Sequence, residues 1–215
     1  MRVVSVNVGV PRRVVWRQRD VTTGIFKEPV DGPVRVDGVN LEGDRQADLT
    51  VHGGADKAVY LYRAEHYPYW HEELGRTLPW GTFGENLTVE GTPPEDEVGI
   101  GDRFRVGTAE LVVTQPRLPC FKLGLRFGDP RMVGRFLDEG RSGYYLRVAK
   151  EGEVAAGDDV ELLEPHPAGV PVSEITRLFA RDREDVAGAQ RVLAVDALPS
   201  DWRPFFEQLA VGVTG

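Results

Sequence analysis

One stretch of the sequence combines residue types that can do chemistry, namely residues 115–123, QPRLPCFKL. It holds Cys120, the only cysteine among 215 residues, between two prolines and two cations, Arg117 and Lys122. A thiol binds a metal ion or attacks a substrate as the thiolate, and nearby cations favour that form. Cys120 is therefore a candidate metal ligand or nucleophile. The alternative that it is a small buried apolar residue stays open, because cysteines outside disulfides usually are.

The surroundings of this cysteine are locally basic. The whole chain carries a net charge of −8, yet residues 115–131 contain four cations and a single acid, Asp129. The four cations are Arg117, Lys122, Arg126 and Arg131. A basic segment in an acidic protein favours an anionic ligand over a nucleic-acid surface, so we expect no direct binding of nucleic acid.

A second polar segment covers residues 43–60, GDRQADLTVHGGADKAVY. His52 precedes two glycines, which can take positive φ and let a ligand approach the backbone closely. The same segment contains several charged residues: Arg45 near its start, followed by Asp48, Asp56 and Lys57. Lys57 is one of only four lysines, and a compact ammonium group suits a phosphate or another oxyanion. The alternative is an elaborate turn in which His52 is hydrogen-bonded to the backbone.

A third polar pair, Glu85 and Asn86, runs into a predicted strand in the sequence TFGENLTV. These side chains could bind a ligand, or they could hold a turn through bonds to the backbone. His66 and His71 are five residues apart, whereas two ligands on one helical face need a spacing of four. The histidines and the cysteine therefore do not predict a zinc site.

Composition places limits on the class of protein. The chain is 41% hydrophobic and 28% charged, which is ordinary for a globular protein. One cysteine excludes an internal disulfide framework and favours a reducing compartment. No run approaches the roughly 20 apolar residues of a membrane span, and the first residues lack a leader pattern. We therefore expect a soluble cytoplasmic protein that does not bind a membrane.

The elements that position these residues are mainly strands. Short β-branched runs between glycine and proline predict a β-rich barrel or sandwich over residues 1–164. A strand ending near residue 115 delivers the chain to the cysteine, where a rigid scaffold can hold chemistry. Two added helices are predicted, one from Ala64 to Leu74, and one that follows Asp129 and Pro130 and ends before Gly140.

The C-terminal part of the chain has a different pattern. Residues 165–171, PHPAGVP, predict a stiff linker between two domains. Residues 172–215 then predict three short helices, the first capped by Ser173, the second opened by Asp182 with Asp185, and the third opened by Ser200. Three short helices make a marginal core, so we expect them to dock on the β domain or on a partner.

These motifs resemble those of the YiiM-like branch of the MOSC family, a domain named after molybdenum cofactor sulfurase. The resemblance runs through GDRQADLTVHGGADKAVYLY, EHYPYW, FGENLTVEG, QPRLPCFKL, RFLDEGRSGYYLRV and the C-terminal helices. It covers nearly the whole chain. The patterns HGGxDKAV and QPRxPCxKL in this order are more specific together than either is alone.

The resemblance implies a MOSC-type β-barrel that binds molybdenum cofactor, with Cys120 as the protein ligand to the metal. It also implies reduction of N-hydroxylated compounds, such as hydroxylaminopurines or amidoximes, with electrons from a flavoprotein reductase. His52 and Asn86 are then candidates for proton delivery or substrate orientation. The candidates for contacts with the cofactor are Lys57, Arg117, Lys122, Arg45 and Arg147. The oligomeric state stays open, a homodimer included.

Two other functions compete with this hypothesis. The protein could carry molybdenum cofactor or sulfur on Cys120 without turnover of its own. It could also be a metal-free cysteine hydrolase with His52 as the base, although no third residue that would orient the base is evident.

Overall fold

The computed structural model describes residues 1–46 and 53–212. In these ranges short β-branched runs form strands as predicted, and helices lie between and after them. The strands are β1 (Arg2–Val8), β2 (Arg12–Trp16), β3 (Arg19–Thr23), β4 (Glu28–Val30), β5 (Val34–Asp37), β6 (Asn40–Leu41), β7 (Val59–Arg63), β8 (Leu87–Glu90), β9 (Arg103–Val106), β10 (Ala109–Pro116), β11 (Tyr144–Lys150), β12 (Gly152–Val154) and β13 (Val160–Glu164). The α-helices are α1 (Tyr67–Leu74), α2 (Phe121–Phe127), α3 (Met132–Glu139), α4 (Val172–Ala180), α5 (Val186–Leu193) and α6 (Arg203–Ala210).

Eight strands form the main sheet, in the order β13-β9-β10-β11-β7-β8-β1-β4. Neighbours are antiparallel except for β7 and β8, which are parallel. A β-rich fold with added helices is thus confirmed. A closed barrel is not found in the described ranges, because different parts of one edge of β1 bond to different partners. Val6 to Val8 pair with β4, and only the residues at the start of the chain meet the start of β13 and the segment before it, where Val160 N donates to Met1 O at 2.9 Å and Val3 N donates to Asp158 O at 2.9 Å.

Two smaller sheets accompany the main one. Strands β12, β5 and β6 form a three-stranded sheet, and β2 and β3 form a separate two-stranded ribbon. In the part of the chain that the structure describes, β2 and β3 pair only with each other. The ribbon therefore stands apart from the main sheet.

The core has two parts. One apolar cluster joins the main sheet to the C-terminal helices, with Leu111 of β10, Ile175 of α4 and Phe206 of α6 all buried in it. An aromatic cluster lies under α1 and α3, where the rings of Trp70 and Phe136 stack with centroids 5.8 Å apart. The three C-terminal helices therefore dock on the sheet, which is one of the two alternatives that the sequence left open.

The segment predicted as a linker is hydrogen-bonded to the connection between β8 and β9. Ile100 N donates to Val170 O at 2.8 Å, and Val172 N donates to Val98 O at 2.9 Å. The start of α6 is also fastened, since Trp202 Nε1 donates to Gln115 Oε1 at 2.8 Å. The domain boundary at residues 165–171 stays a prediction. None of the helices in the described ranges has the length and apolar composition that crossing a bilayer requires.

Candidate functional site

A cleft of about 110 Å³ brings together most of the predicted site residues. It lies among the end of β3, the start of β7, the loop before β8 and the segment after β10. Six of the predicted residues line it: Arg45, Lys57, Asn86, Arg117, Cys120 and Lys122. Residues far apart in sequence therefore meet in one place, as a common site requires.

Cys120 is held by a strand-to-helix connection. Strand β10 ends at Pro116, and the backbone stays extended at Cys120, with φ −128° and ψ 177°. Helix α2 begins at the next residue, and Leu123 N donates to Cys120 O at 2.9 Å. The thiol is half-buried in the cleft. A short link between two regular elements fixes the cysteine and leaves its side chain accessible to a ligand.

Arg117 is the most unusual cation of the cleft. Its side chain is only 5% exposed and lies over aromatic rings, 5.1 Å from the centroid of Phe136 and 5.8 Å from that of Tyr60. Its Nη1 atom is buried and has no hydrogen-bond partner among the residues described. A buried charged donor without a partner carries a desolvation penalty that an anionic ligand would relieve. The position therefore suits an anion.

Three further cations surround the same space. Lys57 and Lys122 are half-buried, and Arg45 is exposed at the rim. Lys57 ends a single 3-10 turn that Gln46 braces, since the Gln46 amide donates to Lys57 O at 3.1 Å and accepts from Gly54 N at 2.8 Å. Gly54 has a φ of 98°, which fits the prediction of a glycine-dependent backbone there.

A buried network on the cleft was not predicted from the sequence. Lys27 Nζ contacts both carboxylate oxygens of Asp44 at 2.5 Å, and Gly9 N donates to Asp44 Oδ1 at 2.9 Å. Asn86 Nδ2 donates to Asp44 Oδ2 at 2.9 Å. Burial lowers the pKa of the Lys27 ammonium group, although Asp44 opposes that shift. We call Lys27, Asp44 and Asn86 the Asp44 network.

The two polar residues before β8 hold the loop. Asn86 Oδ1 accepts from Tyr60 N at 3.0 Å while its amide group donates to Asp44, so both ends of this side chain are occupied. Glu85 accepts from the backbone amides of Gly81 and Phe83 at 2.9 and 3.1 Å. Burial raises the pKa of Glu85. These contacts favour the turn-holding alternative for both residues, and Asn86 positions Asp44.

Two tyrosines complete the lining. Burial raises the pKa of Tyr145, and the charge of Arg117 opposes the rise. Burial likewise raises the pKa of Tyr60, whose hydroxyl donates to Ser142 O at 2.8 Å. Both phenols are therefore neutral near pH 7; the Tyr60 hydroxyl already donates to the backbone, and the Tyr145 hydroxyl lies beside the cations.

Two predicted residues are not placed in the cleft. Arg147 on β11 forms an ion pair with Asp56 at 3.0 Å and lines a neighbouring groove with His166 and Asp196. His52 lies outside the described residues, and its role stays a prediction. In residues 1–46 and 53–212, no three histidine, cysteine, aspartate or glutamate side chains gather as a metal site.

Comparison with known proteins gives the family. Residues 48–161, more than half of the chain, match the MOSC domain. The chain belongs to the MOSC family. Residues 170–209 match the YiiM-like, 3-alpha helix domain, so the resemblance inferred from the motifs is confirmed for both parts of this MOSC protein.

Individual relatives agree with this assignment. The protein YflK of Bacillus subtilis is 43% identical over 204 residues, which cover 95% of this chain and 92% of YflK. The crystal structure of YiiM from Geobacillus stearothermophilus superposes with a TM-score of 0.82 at 34% identity, covering 97% of this MOSC protein and 98% of that chain. A Gibberella moniliformis protein named "Reductase" is 39% identical over 153 residues, which are 69% of this chain and 27% of that protein.

Proposed function

We propose that this MOSC protein binds molybdenum cofactor in the cleft and reduces N-hydroxylated compounds such as hydroxylaminopurines. In this reaction the N–O bond breaks, two electrons and two protons are taken up, and an amine and water leave. The single observation that carries the proposal is the meeting of an accessible thiol, Cys120, with the buried Arg117 guanidinium that has no partner for Nη1 among the residues described.

The donor set fits the cofactor, which is a phosphorylated pterin dithiolene. A soft thiolate ligand suits molybdenum, and Cys120 would provide it. Arg117, Lys122, Lys57 and Arg45 would offset the charge of the phosphate and of the metal's oxo groups. The described part of the chain offers no cluster of three or more His, Cys, Asp or Glu side chains, so Cys120 is the one protein ligand proposed here. When bound, the cofactor supplies the two-electron redox chemistry.

The chain's own residues would bind and orient the reactants. Arg117 would donate to an oxyanion from a fixed position, because Phe136 and Tyr60 hold its guanidinium. The Asp44 network would shape the cleft without binding substrate, since its polar atoms already contact protein groups. His52 stays the proposed residue for proton delivery.

One relative supports the class of reaction. The Gibberella moniliformis protein named "Reductase" shares 39% identity with this chain, but the matched region is only 27% of that protein. The rest of its length leaves room for functions that this chain would need from a partner. We therefore propose that a separate flavoprotein reductase supplies the electrons.

Metal and pterin analysis tests the proposal most directly. The protein, purified from cells that make the cofactor, is expected to contain molybdenum and pterin in near-equal amounts. Cys120→Ala and Cys120→Ser are expected to keep the fold, as judged by circular dichroism, and to lose the metal. Molybdenum retained by both variants would refute the ligand assignment.

A turnover assay separates the enzyme from the alternative of a carrier. Hydroxylaminopurine, a flavoprotein reductase and NADH are expected to give the corresponding aminopurine. A protein that binds the cofactor but gives no product with any electron donor would instead be a carrier of the cofactor or of sulfur.

A further inference from the structure

The β2–β3 ribbon is a feature that the proposed function does not explain. It pairs with no other strand in the described ranges, and an isolated two-stranded ribbon is marginally stable in water. Val15 on its outer face is 72% exposed, and Trp16 beside it is only half-buried. The ribbon therefore exposes apolar side chains to solvent, whereas the main sheet buries its apolar side chains.

The charge of the ribbon is opposite to that of the protein. Residues 12–23 contain four arginines and one acid, Asp20, which gives them a net charge of +3. Since the whole chain carries −8, the remainder carries −11. All four arginines are exposed: Arg12, Arg13, Arg17 and Arg19. A basic arm on an acidic protein attracts an acidic surface selectively.

The turn at the tip of the ribbon has backbone angles that glycine adopts more easily than the charged and polar residues found there. Arg17 and Gln18 both lie in the left-handed region, with φ values of 49° and 64°. Such two-residue turns usually contain Asn-Gly, and each strained residue costs of order 1–3 kcal/mol. The side chain of Arg17 forms no ion pair within the described residues. The tip therefore combines a strained backbone with an exposed cation, whose guanidinium lies 5.8 Å from the centroid of the Trp16 ring.

The base of the ribbon, at the end opposite to its tip, lies next to the cleft. Strand β3 ends at Thr23, and Thr23, Gly24 and Ile25 line the space that contains Cys120. A protein seated on the ribbon would thus stand beside the mouth of the cleft. An electron donor must bind near the mouth of the cleft, because electron transfer between proteins requires that their redox groups be close.

We propose that the β2–β3 ribbon is the docking surface for a flavoprotein with an acidic face, which delivers electrons to the cleft. The proposal rests on the proposed function. The reduced flavin would give up two electrons and become oxidised, solvent would supply two protons, and the substrate N–O bond would break with release of water. A nucleic acid fits less well, because the −11 charge of the remaining chain would repel a long polyanion.

Charge reversal at the tip tests the proposal. Arg17→Glu/Arg19→Glu changes two exposed side chains that form no ion pair among the residues described. The matched control, Arg35→Glu/Arg105→Glu, makes the same charge change at exposed strand positions outside the ribbon. It breaks two exposed ion pairs, with Glu151 and Glu161, which contribute little to stability.

Two measurements are made on each cofactor-loaded protein. The first is the Kd for a purified acidic flavoprotein reductase at low and high ionic strength. The second is the rate of hydroxylaminopurine reduction, either with that reductase and NADH or with dithionite-reduced methyl viologen. The tip variant is expected to lose at least about tenfold in affinity and in reductase-driven rate, with its viologen-driven rate unchanged. The control is expected to match the wild type in both.

The outcomes separate the two proposals. Unchanged affinity and unchanged reductase-driven rate in the tip variant would overturn the docking surface, as would a wild-type protein that does not bind the reductase. No turnover with methyl viologen would overturn the proposed reductase function, while the binding measurement would still decide the docking. Tip-dependent binding of double-stranded DNA in place of the reductase would also overturn the flavoprotein proposal.

Discussion

The Asp44 network and the cysteine segment, residues 117–122, line the same cleft. They differ in whether their buried charged groups have hydrogen-bond partners in the protein. In the network, Lys27 contacts both oxygens of Asp44 at 2.5 Å, and Asn86 binds the same carboxylate. In the cysteine segment, Arg117 is equally buried, yet its Nη1 has no partner among the residues described. The charges of the network are paired within the protein, whereas the cysteine segment has a buried donor that a bound anion would satisfy.

The difference separates residues that support the fold from residues that bind. A buried ion pair contributes little net stability, but the loss of one partner leaves the other charge uncompensated and is strongly destabilising. A buried cation with one donor atom that lacks a partner, as Arg117 Nη1 does among the residues described, already carries part of that penalty in the ligand-free protein, and an anion would remove it. We therefore expect substitutions in the Asp44 network to change the stability of the protein. Substitutions in the cysteine segment are expected to change its affinity for a ligand.

The largest expected effect follows from removing Lys27. Lys27→Met leaves the Asp44 carboxylate buried without its cation, and we expect a loss of about 3–5 kcal/mol in the free energy of unfolding. Lys122→Met makes the same change in the cysteine segment, at a half-buried position. It is expected to stay within about 0.5 kcal/mol of the wild type. Urea unfolding at pH 7 measures both.

The comparison fails if the two methionine variants lose similar stability. A further variant identifies the cause of the loss. Lys27→Met/Asp44→Asn removes both charges, and it is expected to be more stable than Lys27→Met alone. If the double variant is less stable than the single one, the bonds of Asp44 with Gly9 and Asn86 matter more than its charge.

The second effect concerns affinity. We expect Arg117→Met to leave the free energy of unfolding unchanged or slightly higher, because it removes a buried donor without a partner. It is expected to weaken the binding of inorganic phosphate by about 10- to 100-fold, the value of a hydrogen bond to a charged group. Calorimetric titration measures the Kd. Arg147→Met, in the neighbouring groove, is the control and should bind phosphate like the wild type.

An Arg117→Met protein that unfolds as readily as Lys27→Met would contradict this division of roles. So would a variant that binds phosphate with wild-type affinity. In either case the contacts of Arg117 with the rings of Tyr60 and Phe136 would be its main role.

Much of the cysteine segment's setting was predictable from local sequence. The β-branched run before Gln115 predicted the strand that ends at Pro116, and the apolar spacing of Tyr67 and Trp70 predicted a helix ending at Gly75. Gly75 has a φ of 61° there, as a helix-ending glycine should. Asp185 caps α5 by accepting from Gly188 N. These features depend on a few neighbouring residues, so a single sequence can show them.

The Asp44 network could not be predicted in the same way, because it depends on contacts between residues that are distant in sequence. The Lys27–Asp44 pair joins residues 17 apart that belong to different connections, and no local pattern marks either residue. Helix α2 after Cys120 was not predicted either, because Gly124 interrupts a run of only seven residues. Helix α3 starts at Met132, later than the predicted start at Pro130, since Asp129 instead accepts from Arg131 N in a turn.

The smallest expected effect sharpens the account of Lys27. Burial lowers the pKa of this lysine below its usual value of 10.5, with Asp44 and Glu85 as the acids that oppose the shift. Between the folded-state pKa and 10.5, the unfolded chain holds a proton that the folded chain has released. The stability contributed by this group therefore rises with pH in that window and is lost as pH falls through the folded-state pKa.

The measurement is the difference in unfolding free energy between the wild type and Lys27→Met, followed by urea unfolding from neutral pH up to 10.5. We expect the difference to widen with pH, by at most about 1.4 kcal/mol per pH unit. The buried tyrosines are present in both proteins, so their titration cancels. A difference that narrows toward pH 10.5 would mean that attraction to Asp44 exceeds the cost of burial. The network would then hold its cation by charge pairing, and its contrast with Arg117, whose Nη1 has no partner among the residues described, would be larger still.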